Sequence, residues 1–453
     1  MEREKLGSRL GFILISAGCA IGIGNVWKFP YVAGQYGGGV FLFFYLIFLV
    51  LLGIPVMTME FASGRAAGTS PARLLKRLEP EHTRWHWYTP CILAGNWLLM
   101  MFYTVVTGWM LRYFCDMVTG QFVNATQAQI SEHYTGMLSD AGSLILFTVL
   151  VVITGFGICA RGLQAGLEKV TKWMMGALLV IMVILAANSL LSAGAAEGVR
   201  YLFVPDIARA REIGLGSVIA AAMNQAFFTL SLGIGAMAIF GSYIGKDRRL
   251  FGESLNVAVL DTFVALTAAL IVIPSCFAYG VETAAGPGLI FVTLPNIFAA
   301  MPLGRLWGAL FFLFLSFAAF STILAVFENI ISSTMDLTGW TRKKTCLICA
   351  AAMIVLSLPC ALGFNLLAGV QPLGEGSTIM DLEDFLVSNI LLPLGSLVFV
   401  LFCTWKQGWG WDSFRKEADT GQGLRFPAWS HVYCKYLLPV IIAVILITGI
   451  LPG

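Results

Sequence analysis

Eleven stretches of this sequence are apolar for long enough to cross a lipid bilayer, and that repetition limits the fold more than any other feature. They fall at about residues 10–32, 40–62, 88–118, 143–160, 170–191, 214–244, 254–279, 306–337, 345–367, 385–405 and 432–451. A helix needs about 20 apolar residues to span the hydrocarbon core. The expected fold is therefore an all-α polytopic membrane protein with about 11 transmembrane helices. Composition agrees, since 58% of the 453 residues are hydrophobic, 12% are charged and the mean hydropathy is +0.83, too apolar for a soluble domain. The basic residues gather between the runs. Arg73, Lys76, Arg77 and Arg84, then Lys246, Arg248 and Arg249, then Arg342, Lys343 and Lys344, then Lys406, Arg415 and Lys416 all fall on the side where the N-terminus lies. Residues 120–142 and 368–380, on the other side, carry no Lys or Arg. The positive-inside rule then puts the N-terminus in the cytoplasm and, after eleven crossings, the C-terminus outside, with the protein in the plasma (inner) membrane. The outer cluster Arg200, Arg209 and Arg211 dissents without outweighing the rest. A net charge of +3 scattered in this way offers no surface for nucleic acid, and residues 1–9 lack the short apolar core of a cleaved signal peptide.

Within the first run, Ala17 to Pro30 reads A-G-C-A-I-G-I-G-N-V-W-K-F-P. Gly18, Gly22 and Gly24 weaken the helix halfway across and Pro30 closes the segment. One reading is a helix kinked for packing. The other is an opened turn, which hydrocarbon tolerates only where its amides and carbonyls find partners inside the protein, and a solute with its ions would supply them. A dinucleotide-binding loop is excluded by the missing third glycine and the absence of a preceding strand. The sixth run repeats the peculiarity, with Thr229, Ser231, Gly233 and Gly235 at mid-membrane. Two interrupted helices five runs apart suggest an inverted repeat, with halves at about 8–192 and 213–406, an additional helix at 430–453, and a single transporter domain over 1–453. Solute and ions then belong at the midplane, between the interrupted helices.

Enzyme chemistry finds no footing. There is no H-E-x-x-H and no G-x-S-x-G beside a usable histidine, with four histidines in all. The ten cysteines mostly lie inside apolar runs, as packing residues do, and Cys346-x-x-Cys349 lacks a second ligand pair for zinc. No organic cofactor is implied. Asn124-Ala-Thr126 forms a glycosylation sequon on the outer side.

The sequence resembles the neurotransmitter:sodium symporter family, in particular its bacterial amino-acid members. The residues that carry the resemblance are G-x-x-x-G-x-G-N-x-W-[KR]-F-P over Gly18 to Pro30, Gly37-Gly38-Gly39, Gly53-Ile54-Pro55 with Glu60, Phe227 to Gly235, Gly286 to Phe291, and Asp381 to Phe385. Two departures are Cys19, where the family has a polar residue, and Gly176, ten residues after Gly166, where relatives often carry a proline. The resemblance implies a LeuT-like five-plus-five inverted repeat with unwound helices 1 and 6, working by alternating access. It also implies a sodium-coupled symporter importing a neutral, hydrophobic L-amino acid. Its partners would be the amino acid, sodium and the lipid bilayer.

Residue by residue, the resemblance implies one sodium site from Ala20, Asn25, Thr229 and Asp261 with the substrate carboxylate. A second would come from Gly18, Ile21, Ala318, Ser321 and Thr322. All would offer hard oxygen ligands of the kind an alkali cation prefers, although helical hydroxyls such as those of Ser321 and Thr322 also commonly bond to their own backbone. The implied substrate-binding set is Ala20, Gly22, Ile23, Gly24, Leu99, Tyr103, Phe228, Thr229, Ser231, Ile234, Ser321 and Val326. Its carboxylate would rest on the amides of Ile23 and Gly24, at the start of a half-helix whose dipole favours an anion. Monoamine-selective relatives carry aspartate where this chain has Gly22, so the carboxylate here would have to arrive with the substrate. Lys28 with Asp384 and Arg3 with Asp336 would form the outer and inner gates, and Glu60 would tie the two broken turns together. Chloride-dependent relatives carry asparagine at Asp261 and serine at Ala265, so the fixed carboxylate implies chloride independence. The alternative is a proton-coupled transporter or sodium/proton exchanger with Asp261 as proton carrier.

Overall fold

The computed structural model describes residues 5–280 and 288–450, and its named elements are all helical. Among the described residues, nine helices are long and apolar enough to cross a membrane unbroken: α2 (Gly39–Ala67), α3 (Trp85–Thr119), α4 (Ala141–Cys159), α5 (Leu163–Leu190), α7 (Leu250–Ala278), α8 (Gly304–Thr338), α9 (Arg342–Leu362), α10 (Ile379–Thr404) and α11 (Ser430–Ile450). The first run is a span in two pieces, α1a (Arg9–Ala20) and α1b (Gly24–Gln35), bent by 57° at the break. The sixth is likewise divided, into α6a (Leu215–Phe228) and α6b (Ala236–Gly241). Together these account for the eleven apolar runs.

The interior is organised around α8. Its most apolar stretch is 78% buried, against 28% for α11, so α8 is a core element and α11 a lipid-facing one. It packs against α3, α5, α4 and α1a, and α1a is thereby held between α8, α7 and α5. The start of α1a is fixed by Ser8, which accepts from the Gly11 amide, and by Glu168 of α5, which accepts from the Gly7 amide at 2.8 Å and the Ser8 hydroxyl at 2.9 Å.

The break in α6 is built on Gly233, whose φ of +97° suits a residue without a side chain. A Cβ there would sit 2.1 Å from the Leu392 carbonyl oxygen, so the open turn lies directly against the backbone of α10. Its freed amides are satisfied by Glu60 of α2, which accepts from Gly233 at 2.5 Å and Met237 at 3.2 Å. Glu60 thus bridges the α6 break. The sequence reading gave it the α1 break as well, but its bonds among the described residues go to α6. The ten cysteines are unpaired and eight are buried.

Candidate functional site

Unwinding α1 after Ala20 leaves the last carbonyls of α1a without helical partners. They turn toward α8. The Ser321 hydroxyl lies 3.0 Å from the Gly18 carbonyl oxygen, 2.8 Å from that of Ala318 and 3.5 Å from that of Ile21. The Thr322 hydroxyl lies 3.1 Å from Gly18 O, 3.2 Å from Ile21 O and 3.3 Å from Cys19 O. The five residues expected at the second sodium site therefore present a compact group of buried neutral oxygens, a donor set that suits a hard monovalent cation.

On the other side of the break, Asn25 of α1b meets α6 and α7. Its Nδ2 donates to Thr229 Oγ1 at 3.0 Å, to Asp261 Oδ1 at 2.8 Å and to the Asp261 carbonyl at 3.3 Å. Thr229 donates to Asp261 Oδ2 at 3.0 Å, and Asn25 Oδ1 accepts from the Gly22 amide at 3.2 Å. Asn25, Thr229 and Asp261, all fully or nearly fully buried, thus form one cluster, with Ala20 as the last helical residue before the break. The amide nitrogen lies among oxygens that could hold a cation, and turning the amide over would add its own oxygen to them.

Between the clusters, Tyr103 Oη accepts from the Ile23 amide at 2.8 Å. A Cβ on Gly22 would lie 2.0 Å from Tyr103 Oη and 2.7 Å from Thr322 Oγ1, and one on Gly24 would lie 2.9 Å from the Phe228 ring. The substrate-set residues Gly22, Ile23, Gly24, Tyr103 and Phe228 thus converge beside Thr322. Leu99 and Val326 sit one turn from Tyr103 and Thr322 on α3 and α8, on the same helical faces, and both are buried. Ser231 is held at φ +51° with its hydroxyl 3.5 Å from the Cys19 carbonyl, and Ile234 follows in the same open stretch.

The gate residues are placed differently. Lys28 Nζ stands 4.0 Å from the centroid of the Phe228 ring, at a cleft of about 230 Å³ shared with Gln225, Ser388 and Asn389. Asp384 accepts from Ser388 Oγ at 2.6 Å, and the structure does not bring Lys28 and Asp384 into an ion pair. Asp336 accepts from the Ser70 amide at 2.8 Å, while its expected partner Arg3 lies outside the described residues.

Two polar groups at the site escaped the sequence reading. Gln225 donates to the Gly24 carbonyl at 3.0 Å and has its other amide end buried without a partner. Tyr45 of α2 buries its hydroxyl beside those of Thr229 and Thr262 and near Asp261. The one available signal was a polar group in mid-run. Glu328, unassigned from sequence, accepts from Tyr243 Oη at 2.8 Å and Arg342 Nη1 at 3.1 Å, and Arg342 also donates to the Cys159 carbonyl at 2.7 Å.

Comparison with known proteins decides the family. Residues 3–135 and 121–452 match the profile of the sodium:neurotransmitter symporter family. The chain belongs to that family. Members are transporters, not enzymes, and this chain is a sodium-dependent, multi-pass membrane transporter with the LeuT fold. It is 31% identical over 444 residues to an uncharacterized sodium-dependent transporter, YhdH, of Bacillus subtilis, covering 97% of this chain and 96% of that one. It is 24% identical to the sodium- and chloride-dependent GABA transporter 2 of Mus musculus, over 90% of this chain and 74% of the relative. The crystal structure of MhsT in complex with L-phenylalanine superposes with a TM-score of 0.88 at 35% identity, covering 99% of this chain and all of that one.

Proposed function

We propose that this symporter couples two sodium ions to the uptake of one neutral, hydrophobic L-amino acid and needs no chloride. The observation that carries the substrate class is the contact at Gly22. With Tyr103 Oη only 2.0 Å from where a Cβ would start, position 22 has no room for the aspartate that would serve an amine lacking a carboxylate. The substrate must bring its own carboxylate, which would meet the Ile23 and Gly24 amides and Tyr103. Leu99, Phe228, Ile234 and Val326 offer its side chain apolar surface and no countercharge. MhsT, a relative similar along the whole chain, has been solved with an apolar amino acid.

The two oxygen clusters are the proposed sodium sites: Ala20, Asn25, Thr229 and Asp261 for one, and Gly18, Ile21, Ala318, Ser321 and Thr322 for the other. Chloride independence rests on Asp261, which supplies a fixed negative charge to the first cluster, and on Ala265, one turn further along α7, which offers an anion no donor. The N-terminus is assigned to the cytoplasm and the C-terminus to the outside, with repeats over 8–192 and 213–406 and 430–453 as an addition. The deciding experiment is sodium-driven uptake into proteoliposomes with all twenty amino acids as competitors. Leucine, methionine, phenylalanine, tyrosine or tryptophan should compete far better than lysine or glutamate. Stronger competition by a decarboxylated amine than by its parent amino acid would sink the reading.

A further inference from the structure

An open turn at mid-membrane leaves carbonyls as well as amides to be satisfied. Glu60 takes the amides of the α6 break, but a carboxylate cannot donate, so the carbonyl of Ile234 needs another partner. It has two. Asn96 of α3 donates through Nδ2 to Ile234 O at 2.8 Å and to the Ile92 carbonyl of its own helix at 2.8 Å. Asn329 of α8 donates to the same Ile234 oxygen at 3.4 Å and to Asn96 Oδ1 at 2.9 Å, and Ser333 Oγ donates to Asn329 Oδ1 at 3.3 Å. Both asparagines are 1% exposed. Neither belongs to the expected sodium or substrate sets.

The residue they hold, Ile234, is one of the four whose side chains would wall the proposed pocket. Gly95, immediately before Asn96, lets that wall stand where it does, because a Cβ there would lie 2.7 Å from Ile234 Cγ2. We propose that Asn96 and Asn329 are positioning residues that fix the Ile234 carbonyl between α3 and α8, and with it the depth of the substrate side-chain pocket and the size of amino acid accepted. This rests on the amino-acid reading above. Rigid placement is what lets a hydrophobic pocket discriminate by a methylene or two. A wall pinned through its backbone to two core helices has that rigidity.

The test is sodium-driven uptake by the reconstituted full chain, with alanine, valine, leucine, phenylalanine and tryptophan as a competitor series. Gly95→Ala adds a methyl behind Ile234, and should weaken phenylalanine and tryptophan by about tenfold relative to valine. Asn96→Ser and Asn329→Ser free the carbonyl while their hydroxyls bond back to their own helices. They should flatten the preference between large and small side chains by about fivefold, with the sodium half-saturation unchanged. A purely structural role would lower transport of every amino acid alike and leave the rank order intact. Wild-type transport with an unaltered rank order in the variants overturns this proposal alone. A wild-type protein that accumulates no amino acid overturns the functional reading and this proposal with it. Gly95→Ala removes no hydrogen bond and decides the matter if the serine variants do not survive purification.

Discussion

At Gly22 a single hydrogen atom separates two chemistries. Replacing it with a methyl forces a contact of 2.0 Å on Tyr103 Oη, and overpacking of this kind costs about 1–3 kcal/mol. Gly22→Ala should therefore weaken amino-acid binding by roughly tenfold to a hundredfold, read as the half-saturating concentration for uptake. Wild-type affinity in this variant would mean that the contact is not at the substrate site. Asp261 sets a second test. Asp261→Asn removes the fixed charge beside Thr229 and Asn25, so chloride-independent uptake should be lost. Adding Ala265→Ser to it should restore uptake only when chloride is present. Equal uptake by the unmodified protein in chloride and in gluconate is the companion expectation, and a strict chloride requirement there removes the assignment. These residues were legible because each carries an unusual chemical type in an apolar run. Gln225, Asn96 and Asn329 are also polar in such runs, but their role depends on which carbonyl they reach, and that is a fact of three-dimensional packing.

At the scale of elements, the breaks in α1 and α6 could be read because glycines and hydroxyls interrupt otherwise apolar sequence. Their extent could not. Residues 214–244 read as one run, yet α6b is only six residues long, Ala236–Gly241, because its hydropathy continues through residues that the backbone leaves unwound. The apolar count for the tenth run starts only at residue 385, although the motif Asp381 to Phe385 already belongs to the start of that helix. The helix begins at Ile379, where Thr378 and Asp381 form a reciprocal cap, and polar residues in that first turn hid it from an apolar count. A buried charge pair between α8 and α9 offers a further prediction. Glu328 of α8 is fully buried, whereas the Arg342 side chain at the start of α9 is 17% exposed. Breaking a buried pair by removing one partner costs about 3–5 kcal/mol, mostly for the charge left behind. Arg342→Ala strands the fully buried carboxylate and should lower the melting temperature in detergent more than Glu328→Gln, which leaves the arginine its Cys159 carbonyl and a route to solvent. The reverse order would mean that the arginine carries the penalty. On the transport side, Thr229→Ala and the double change Ser321→Ala with Thr322→Ala should each raise the sodium half-saturation by roughly tenfold without unfolding, since Asp261 keeps its bond from Asn25 and the other hydroxyls meet only neutral carbonyls.

Over the whole molecule, both proposed sodium sites draw on the same break in α1, and so does the proposed carboxylate site between them. One side uses the carbonyls of α1a and the hydroxyls of α8; the other uses Asn25 of α1b with α6 and α7. A rearrangement that moves α1a away from α8 must disrupt the second cluster, while motion of α1b against α6 and α7 disrupts the first. Filling both sites and the space between them thus favours one arrangement of α1, which is how differential binding couples ion and solute movement. The coupling has a thermodynamic ceiling that can be measured. A tenfold sodium gradient supplies about 1.4 kcal/mol per ion, so at zero membrane potential two coupled ions support roughly a hundredfold accumulation of a zwitterion and one ion only tenfold. A 100 mV potential adds about 2.3 kcal/mol per ion, bringing the two-ion total to roughly 7 kcal/mol. In proteoliposomes with the potential clamped at zero and a tenfold inward sodium gradient, the steady-state ratio should therefore approach a hundred. A wild-type plateau near ten would leave only one cluster coupled to transport. Accumulation driven by a proton gradient without sodium would instead make Asp261 a proton carrier.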